Sequence, residues 1–292
     1  MEQKVNENIR LAVQKKGRLT DKCLDLLKLC GIEIENYSER LVVSSRTFPL
    51  DILFLRDDDI PEYVQDGVAD IGIVGENVIE EKNISVGILE KLGFGKCKIM
   101  MANPEHIPLN SPLDLEGRTI ATSYPRILKN YLNSEGLSAK IIELSGSVEI
   151  APALGVADVI CDIVSTGNTL MMNKLRKGFS IFESEAVLVK SANKELSMEK
   201  IILIDDLVRR IRSVLNARRS RYLMMNVPKV SLERIMELIP SLRSPTIVPL
   251  ADEELVAVHA VIPSDFIWNT ISILKSEGAS GILLLPIENM IS

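Results

Sequence analysis

Along the chain, short and almost uniformly apolar runs alternate with longer stretches whose apolar residues recur at helical intervals. IRLAV (9–13) predicts a strand. GRLTDKCLDLLKLCGI (17–32) predicts a helix, with Thr20 as its N-cap and Gly31 as its stop. LVVSS (41–45) and DILFLR (51–56) predict short strands. IPEYVQDGVADIGIVG (60–75) predicts a helix opened by Pro61 and stopped near Gly67, then a strand over 71–74.

The next third repeats this. KIMMANP (98–104) and residues 119–122 predict strands, PRILKNYLNSEGL (125–137) a helix ending near Gly136, and KIIELSG (140–146) a strand. SVEIAPALGVADVICDIVSTG (147–167) predicts a helix, a glycine stop, a strand and a loop. LMMNKLRKG (170–178) predicts a further helix. GVADIGIVGEN (67–77) and GVADVICDIVSTGNT (155–169) echo one another: glycine, Val-Ala-Asp, an apolar strand, a polar exit. Such an echo in two α/β halves predicts two similar lobes. Ligands of open α/β sheets sit beyond the carboxyl ends of the strands, so both exits are expected to face one cleft.

KSANKELSMEKI (190–201) and DDLVRRIRSVLNARRSR (205–221) predict a polar, helix-prone connector and a basic amphipathic helix. Beyond them RYLMMNVP, SLERIMELIPSL, PTIVPL, ELVAVHAVIP, SDFIWNTISILKSEG and SGILLLPI read strand, helix, strand, strand, helix, strand. This βαββαβ order is that of a ferredoxin-like unit.

Composition narrows the class. A chain of 292 residues, 46% hydrophobic, suits more than one domain with a substantial aliphatic core. A net charge of −6 gives no basic footprint for nucleic acid. MEQKVNENIR lacks a signal peptide's apolar stretch, and no run approaches the ~18 apolar residues of a membrane helix, so a cytoplasmic protein is expected. The four cysteines (Cys23, Cys30, Cys97, Cys161) form no CxxC pair and are expected to be reduced and buried. His106 and His259 are too few for a histidine metal site, and His259 in LVAVHAVI is expected to be structural.

The candidate chemistry lies at strand exits. Ser165, Thr166, Gly167, Asn168 and Thr169 supply hydroxyls and backbone N–H groups on a tight turn, the inventory a phosphate needs. Asp162 just upstream is placed to accept hydrogen bonds from vicinal hydroxyls. Acid for ribose and loop for 5′-phosphate make a phosphoribosyl site; the alternative is a Ser/Thr turn capping a helix. Glu149 in GSVEIAPALG is either a favourable first-turn charge or a second acid for the ribose. QKKGRL (14–19) sets Lys15, Lys16, Gly17 and Arg18 on a basic turn, and RDDDI (56–60) sets Arg56 beside three acids. Arg56 is either tied by those acids or aimed at phosphate. ATSYP (121–125) ends a strand with Thr122, Ser123 and Tyr124, and Tyr124 either stacks on a base or packs.

With these pieces assembled, the sequence resembles the ATP phosphoribosyltransferase family, in its long form with a C-terminal regulatory domain. The resemblance runs through QKKGRL, RDDDIPEYVQDGVADIGIVGENV, RTIATSYP, GSVEIAPALGVADVICDIVSTGNTL, SPTIVPL and GASGILLLPIE, essentially the whole chain. It implies two periplasmic-binding-protein-like (type II) lobes plus a C-terminal ferredoxin-like, ACT-like domain. The implied divisions are 1–100 for the first lobe, with 185–215 returning to it, 101–184 for the second, and 218–292 for the regulatory domain. Type I phosphoribosyltransferases carry two adjacent acids before their loop, whereas here Cys161 and Ile163 flank a single Asp162.

By that resemblance the reaction is attack of adenine N1 of ATP on the anomeric carbon of phosphoribosyl pyrophosphate, the first step of histidine biosynthesis. Lys15, Arg18 and Arg56 are implied to meet the phosphates. Glu149, Asp162 and residues 165–169 are implied to bind phosphoribosyl pyrophosphate, and Gly17, Arg18, Asp70 and Tyr124 to bind ATP. Histidine is implied to inhibit at Asn226, Thr246, Ser280 and Gly281, between paired domains of a homo-oligomer that interconverts between dimer and hexamer. Mg²⁺ is expected to arrive bound to the substrates rather than to protein ligands. The competing class is a non-catalytic bilobal binding or regulatory protein, which would not need two anion loops.

Overall fold

The computed structural model describes residues 8–34, 40–164, 168–242 and 244–291. Its contacts divide the chain into two compact units, Met1–Asp25 with Ile32–Ile204, and Leu26–Gly31 with Asp205–Ser292.

The chain runs β1 (Ile9–Gln14), α1 (Thr20–Leu29), β2 (Val42–Ser44), β3 (Leu50–Leu55), α2 (Ile60–Gln65), β4 (Ile71–Gly75), α3 (Glu76–Lys82) and β5 (Val86–Lys91). It crosses to β6 (Cys97–Pro104), β7 (Thr119–Thr122), α4 (Pro125–Glu135), β8 (Lys140–Glu143), β9 (Val159–Val164), α5 (Asn168–Met172) and β10 (Leu175–Ser184). It then returns through β11 (Ala186–Ser191) and α6 (Met198–Arg218). Two sheets result, ordered β2-β3-β1-β4-β11-β5 and β10-β6-β9-β7-β8.

Without the β2 edge the two sheets share one order, β3-β1-β4-β11-β5 and β8-β7-β9-β6-β10. In each, three parallel strands meet an antiparallel strand, β11 or β6, laid down just after the chain has crossed from the other sheet. This is the duplicated, two-crossover α/β arrangement expected of periplasmic-binding-protein-like lobes. The strands read as continuous apolar runs because parallel sheets are covered on both faces: Ile71, Ile73 and Val74 in β4 and Val159, Ile160 and Cys161 in β9 are all buried.

The sequence echo is a structural one. Gly67 and Gly155 both take φ +69°. The Asp70 N–H donates to the Arg10 carbonyl at 2.9 Å and its carboxylate accepts from the Arg10 N–H at 2.8 Å. Asp158 makes the same two bonds to Thr119, both at 2.8 Å. Each Val-Ala-Asp therefore pins the start of one parallel strand to that of its neighbour, which leaves the carboxyl ends free for a site.

Four expectations are corrected. Residues 147–155 form only a 3₁₀ turn (Val148–Ile150) followed by turns, because Pro152 lacks the N–H a helix would need. The helix expected over 170–178 stops at Met172: Lys174 takes φ +56°, and Leu175 begins the long edge strand β10, paired to β6. The Thr20 hydroxyl donates to the Gln14 carbonyl instead of capping α1 N–H groups. The expected connector and basic helix over 190–221 are served in large part by one 21-residue helix, α6.

In the second unit β12 (Ser220–Pro228), α7 (Leu232–Leu238), β13 (Thr246–Pro249), β14 (Leu255–Pro263), α8 (Ile267–Ser276) and β15 (Ser280–Pro286) give the expected βαββαβ order. Its antiparallel sheet is ordered β13-β14-β12-β15 over a core that includes Leu223, Met225, Ile235, Val258 and Leu274. His259 lies in β14, with its Nδ1 3.0 Å from the Tyr222 hydroxyl.

Candidate active site

The basic turn 15–18 leaves the carboxyl end of β1, and its shape is set by Gln14. The Gln14 Oε1 accepts the Leu19 N–H at 3.1 Å, closing the turn from inside. Gly17 has φ +144°, and a Cβ there would collide with the Gln14 carboxamide, so the tight turn requires glycine. Arg18 is left exposed at the tip. At the end of β3, Arg56 is also exposed, and among the described residues no ion pair ties it to Asp57, Asp58 or Asp59. Asp57 lies within the electrostatic reach of Arg18. Its carboxyl is raised above the usual range by burial and by Asp58, with Arg18 opposing. One Asp57 oxygen is buried without a hydrogen-bond partner among the described residues.

In the second sheet's lobe, β7 ends at Thr122, whose hydroxyl accepts the Tyr124 N–H at 2.8 Å, and the Ser123 hydroxyl donates to the Leu144 carbonyl. These bonds hold Tyr124 directly before α4, where it packs, partly buried, against the core of the second sheet. Asp162 lies near the end of β9, with one carboxylate oxygen accepting the Ile163 N–H at 2.7 Å. Burial raises the Asp162 carboxyl and nearby Glu149 raises it further, while the Ile163 N–H and the Arg18 charge hold it down. Tyr124 is likewise raised by burial and by Asp162, and lowered by Arg18. Arg18 of one lobe, and Asp162, Glu149 and Tyr124 of the other, therefore share one electrostatic neighbourhood between the carboxyl ends of the two sheets.

Asp70 does not belong with them. It sits at the amino end of β4, wholly buried, with Lys200 Nζ at 2.7 Å and Arg10 Nε at 3.8 Å. Five residues of strand, about 17 Å, separate that end from the cleft. The structure therefore places Asp70, expected to contact ATP, apart from Arg18, Asp162 and Tyr124. Ser165, Thr166 and Gly167 lie outside the described residues, and Asn168 and Thr169 open α5. All four cysteines are free and buried; burial pushes Cys23 and Cys30 up to about 12. Sequence reading missed Gln14, which shapes the turn, and Glu81, which ties the lobes. Neither carries a local signal, since each acts through backbone groups that the fold brings to it.

Two family profiles match the chain: HisG, ATP phosphoribosyltransferase, over residues 56–213, and HisG, C-terminal domain, over 217–289. The ATP phosphoribosyltransferase of Cytophaga hutchinsonii is 46% identical over 97% of this chain and 98% of its own length. That of Parabacteroides distasonis is 47% identical over 97% and 99%. The chain belongs to the ATP phosphoribosyltransferase family. The ATP phosphoribosyl transferase (HisG:HisZ) complex from Thermotoga maritima is similar in structure, with TM-score 0.59 and 30% identity over 70% of this chain and 98% of that one. As a member of the family, the chain is a phosphoribosyltransferase acting in the first step of histidine biosynthesis. Among the described residues, no helix is long and apolar enough to cross a membrane.

Proposed function

We propose that the cleft between the two sheets aligns ATP and phosphoribosyl pyrophosphate for attack of adenine N1 on the anomeric carbon. The observation that carries the reading is the convergence of Arg18 with Asp162 and Tyr124 across the lobes. Asp162 and Glu149 accept hydrogen bonds from the ribose hydroxyls, and residues 165–169 take the 5′-phosphate. Lys15, Arg18 and Arg56 meet the phosphates of ATP and of the leaving pyrophosphate. Tyr124 and the Gly17 turn flank the adenine side.

No side chain is needed as a base, because N1 already carries a lone pair. The work of the protein is to hold two polyanions in line and to stabilise charge on the departing pyrophosphate. Among the described residues no three His, Cys, Asp or Glu side chains gather as metal ligands do. The pair Glu149 and Asp162 suits a hydrated Mg²⁺ that the substrates carry in, and the ion's contribution is to neutralise phosphate charge.

The C-terminal unit senses histidine at Asn226, Thr246, Ser280 and Gly281, in a cytoplasmic homo-oligomer that shifts between dimer and hexamer. Three of these residues cluster: Asn226 pairs with Ser280 across β12 and β15, and Gly281 follows it. Thr246 is on the far edge strand, opposite His259.

The test mixes protein, ATP, phosphoribosyl pyrophosphate and Mg²⁺ with pyrophosphatase, and follows the absorbance of the N1-substituted adenine with and without histidine. A rise needing both substrates and suppressed by histidine is expected. No rise with both ligands still bound would leave a non-catalytic binding protein, and a rise indifferent to histidine would remove the sensor.

A further inference from the structure

The helix α3 joins the two lobes at both of its ends. At its start, the Asn77 N–H donates to the Ser184 hydroxyl at 3.0 Å, and that hydroxyl donates to the Asn77 Oδ1 at 2.8 Å; both side chains are buried. The Glu76 N–H donates to the Glu185 carbonyl, and the Glu76 carboxylate meets Lys91 at 2.8 Å. These partners are the two segments on which the chain crosses between sheets. At its other end, the Glu81 carboxylate reaches into the opposite lobe. One oxygen accepts the Arg126 N–H at 2.9 Å and the other the Ile127 N–H at 3.0 Å. Glu80 adds a bond from the Asn130 side chain at 3.1 Å.

Helix α4 has no cap of its own. Tyr124 occupies its N-cap position without a side-chain bond, and Pro125 has no N–H to offer. The Leu128 N–H is taken by the Tyr124 carbonyl. The two remaining first-turn donors, Arg126 and Ile127, are both satisfied by a carboxylate from the other lobe, where the helix dipole also favours a negative charge. Local sequence thus leaves the start of α4 incomplete, and Glu81 of the other lobe completes it. The residue immediately before that helix is Tyr124.

We propose that Glu81 is a positioning residue for the transfer reaction, a latch that caps α4 across the cleft and holds the lobe angle at which Tyr124 and Asp162 face Arg18. The kinetic half of this proposal rests on the site reading above; the conformational half does not. Loss of the latch lowers the fraction of molecules preset in the closed geometry, and apparent affinity falls by that fraction. Both substrates are then bound more weakly, while the fully loaded, closed enzyme turns over much as before.

The experiment places nitroxide labels at Asp21→Cys and Asn133→Cys, exposed positions on α1 and α4, in a chain whose four native cysteines are buried. Labelled protomers are diluted into unlabelled ones, and the interlobe distance distribution is recorded without substrates. Glu81→Ala is expected to lengthen and broaden the distribution. KM for both substrates should rise about fivefold, with kcat changing by less than about twofold. Glu81→Asp, which keeps the charge on a shorter arm, should fall between. If Glu81→Ala folds poorly, the isosteric Glu81→Gln serves for the same readings.

An unchanged distance distribution in folded variants overturns the latch, whatever the kinetics. A changed distribution with unchanged KM overturns the positioning role. If the wild-type chain proves inactive, the distance measurement still decides the latch, so failure of the site reading is told apart from failure of this one.

Discussion

Asp70 and Asp158 make the same pair of backbone bonds, Asp70 to Arg10 at the start of β1 and Asp158 to Thr119 at the start of β7. They differ in charge environment. Asp70 also neutralises Lys200 and Arg10 with a wholly buried carboxylate, whereas among the described residues no cation pairs with Asp158. Asp70→Asn keeps an acceptor for the Arg10 N–H but takes the charged partner from the largely buried Lys200, and should cost about 3 kcal/mol. Asp158→Asn removes a charge from one part-buried bond and should cost about 1 kcal/mol. Denaturant unfolding measures both. ATP affinity of the folded Asp70→Asn protein should match wild type; a clear loss would return Asp70 to the ATP site.

The same pair shows what the sequence made legible. Two Val-Ala-Asp strings at matching places announced duplicated lobes, and the whole βαββαβ order of the second unit followed from alternating apolar runs. What escaped was whatever depends on a distant partner. β10 begins in the polar LRKG and is a strand because β6 offers its edge, with irregular register between Lys177 and Phe182. β5 is half-buried on both faces and carries no clean alternation. Glu81 meets backbone donors 45 and 46 positions away. The position of Asp70 at the amino end of β4 was not legible either, because an acid beside a strand looks the same in sequence at either end.

Asp162 should trade stability for function. Its folded carboxyl is raised above the ordinary 3.8, chiefly by burial, so ionisation opposes folding above that raised value. The penalty is present near neutrality, and it vanishes below about pH 4, where the unfolded chain is protonated too. Asp162→Asn should therefore raise Tm near neutrality and lose that advantage in acid. KM for phosphoribosyl pyrophosphate should rise about tenfold or more, as expected for a lost charged hydrogen bond. Because Arg18 holds the Asp162 carboxyl down, Arg18→Ala should shift the acid limb of kcat/KM to higher pH. Thermal melts and pH–rate profiles check each part, and an acid limb that stays put in Arg18→Ala would separate the two residues.

Gly17→Ala tests the basic turn without touching a charge. A methyl group at φ +144° meets the Gln14 carboxamide, which would have to leave the Leu19 N–H. Strain of this kind is on the order of 1–3 kcal/mol. The larger effect should be on turnover, since Arg18 rides on the displaced turn and misplacement by about 1 Å can cost on the order of a hundredfold. Steady-state kinetics at saturating substrate measure it. Wild-type kcat with only a lowered Tm would mean that the turn is structural alone.

Gly281 offers the sharpest test of the sensor. Met224 pairs with Leu283 and Asn226 with Ser280, so β15 carries one extra residue between the two pairs, a bulge. Gly281 sits in that bulge at φ +56°, and a Cβ there would stand 3.3 Å from the Asn226 side-chain nitrogen. Gly281→Ala should strain the bulge by about 1–2 kcal/mol and push Asn226 off its position. Uninhibited turnover should be nearly unchanged, because the substitution touches only the C-terminal sheet. The histidine concentration for half inhibition should rise about tenfold, the size expected when one hydrogen-bond partner is lost. Asn226→Ala should weaken inhibition similarly, and the double variant should add little, since both act on one contact. Additive effects, or undiminished inhibition in both single variants, would place the histidine site elsewhere in the unit.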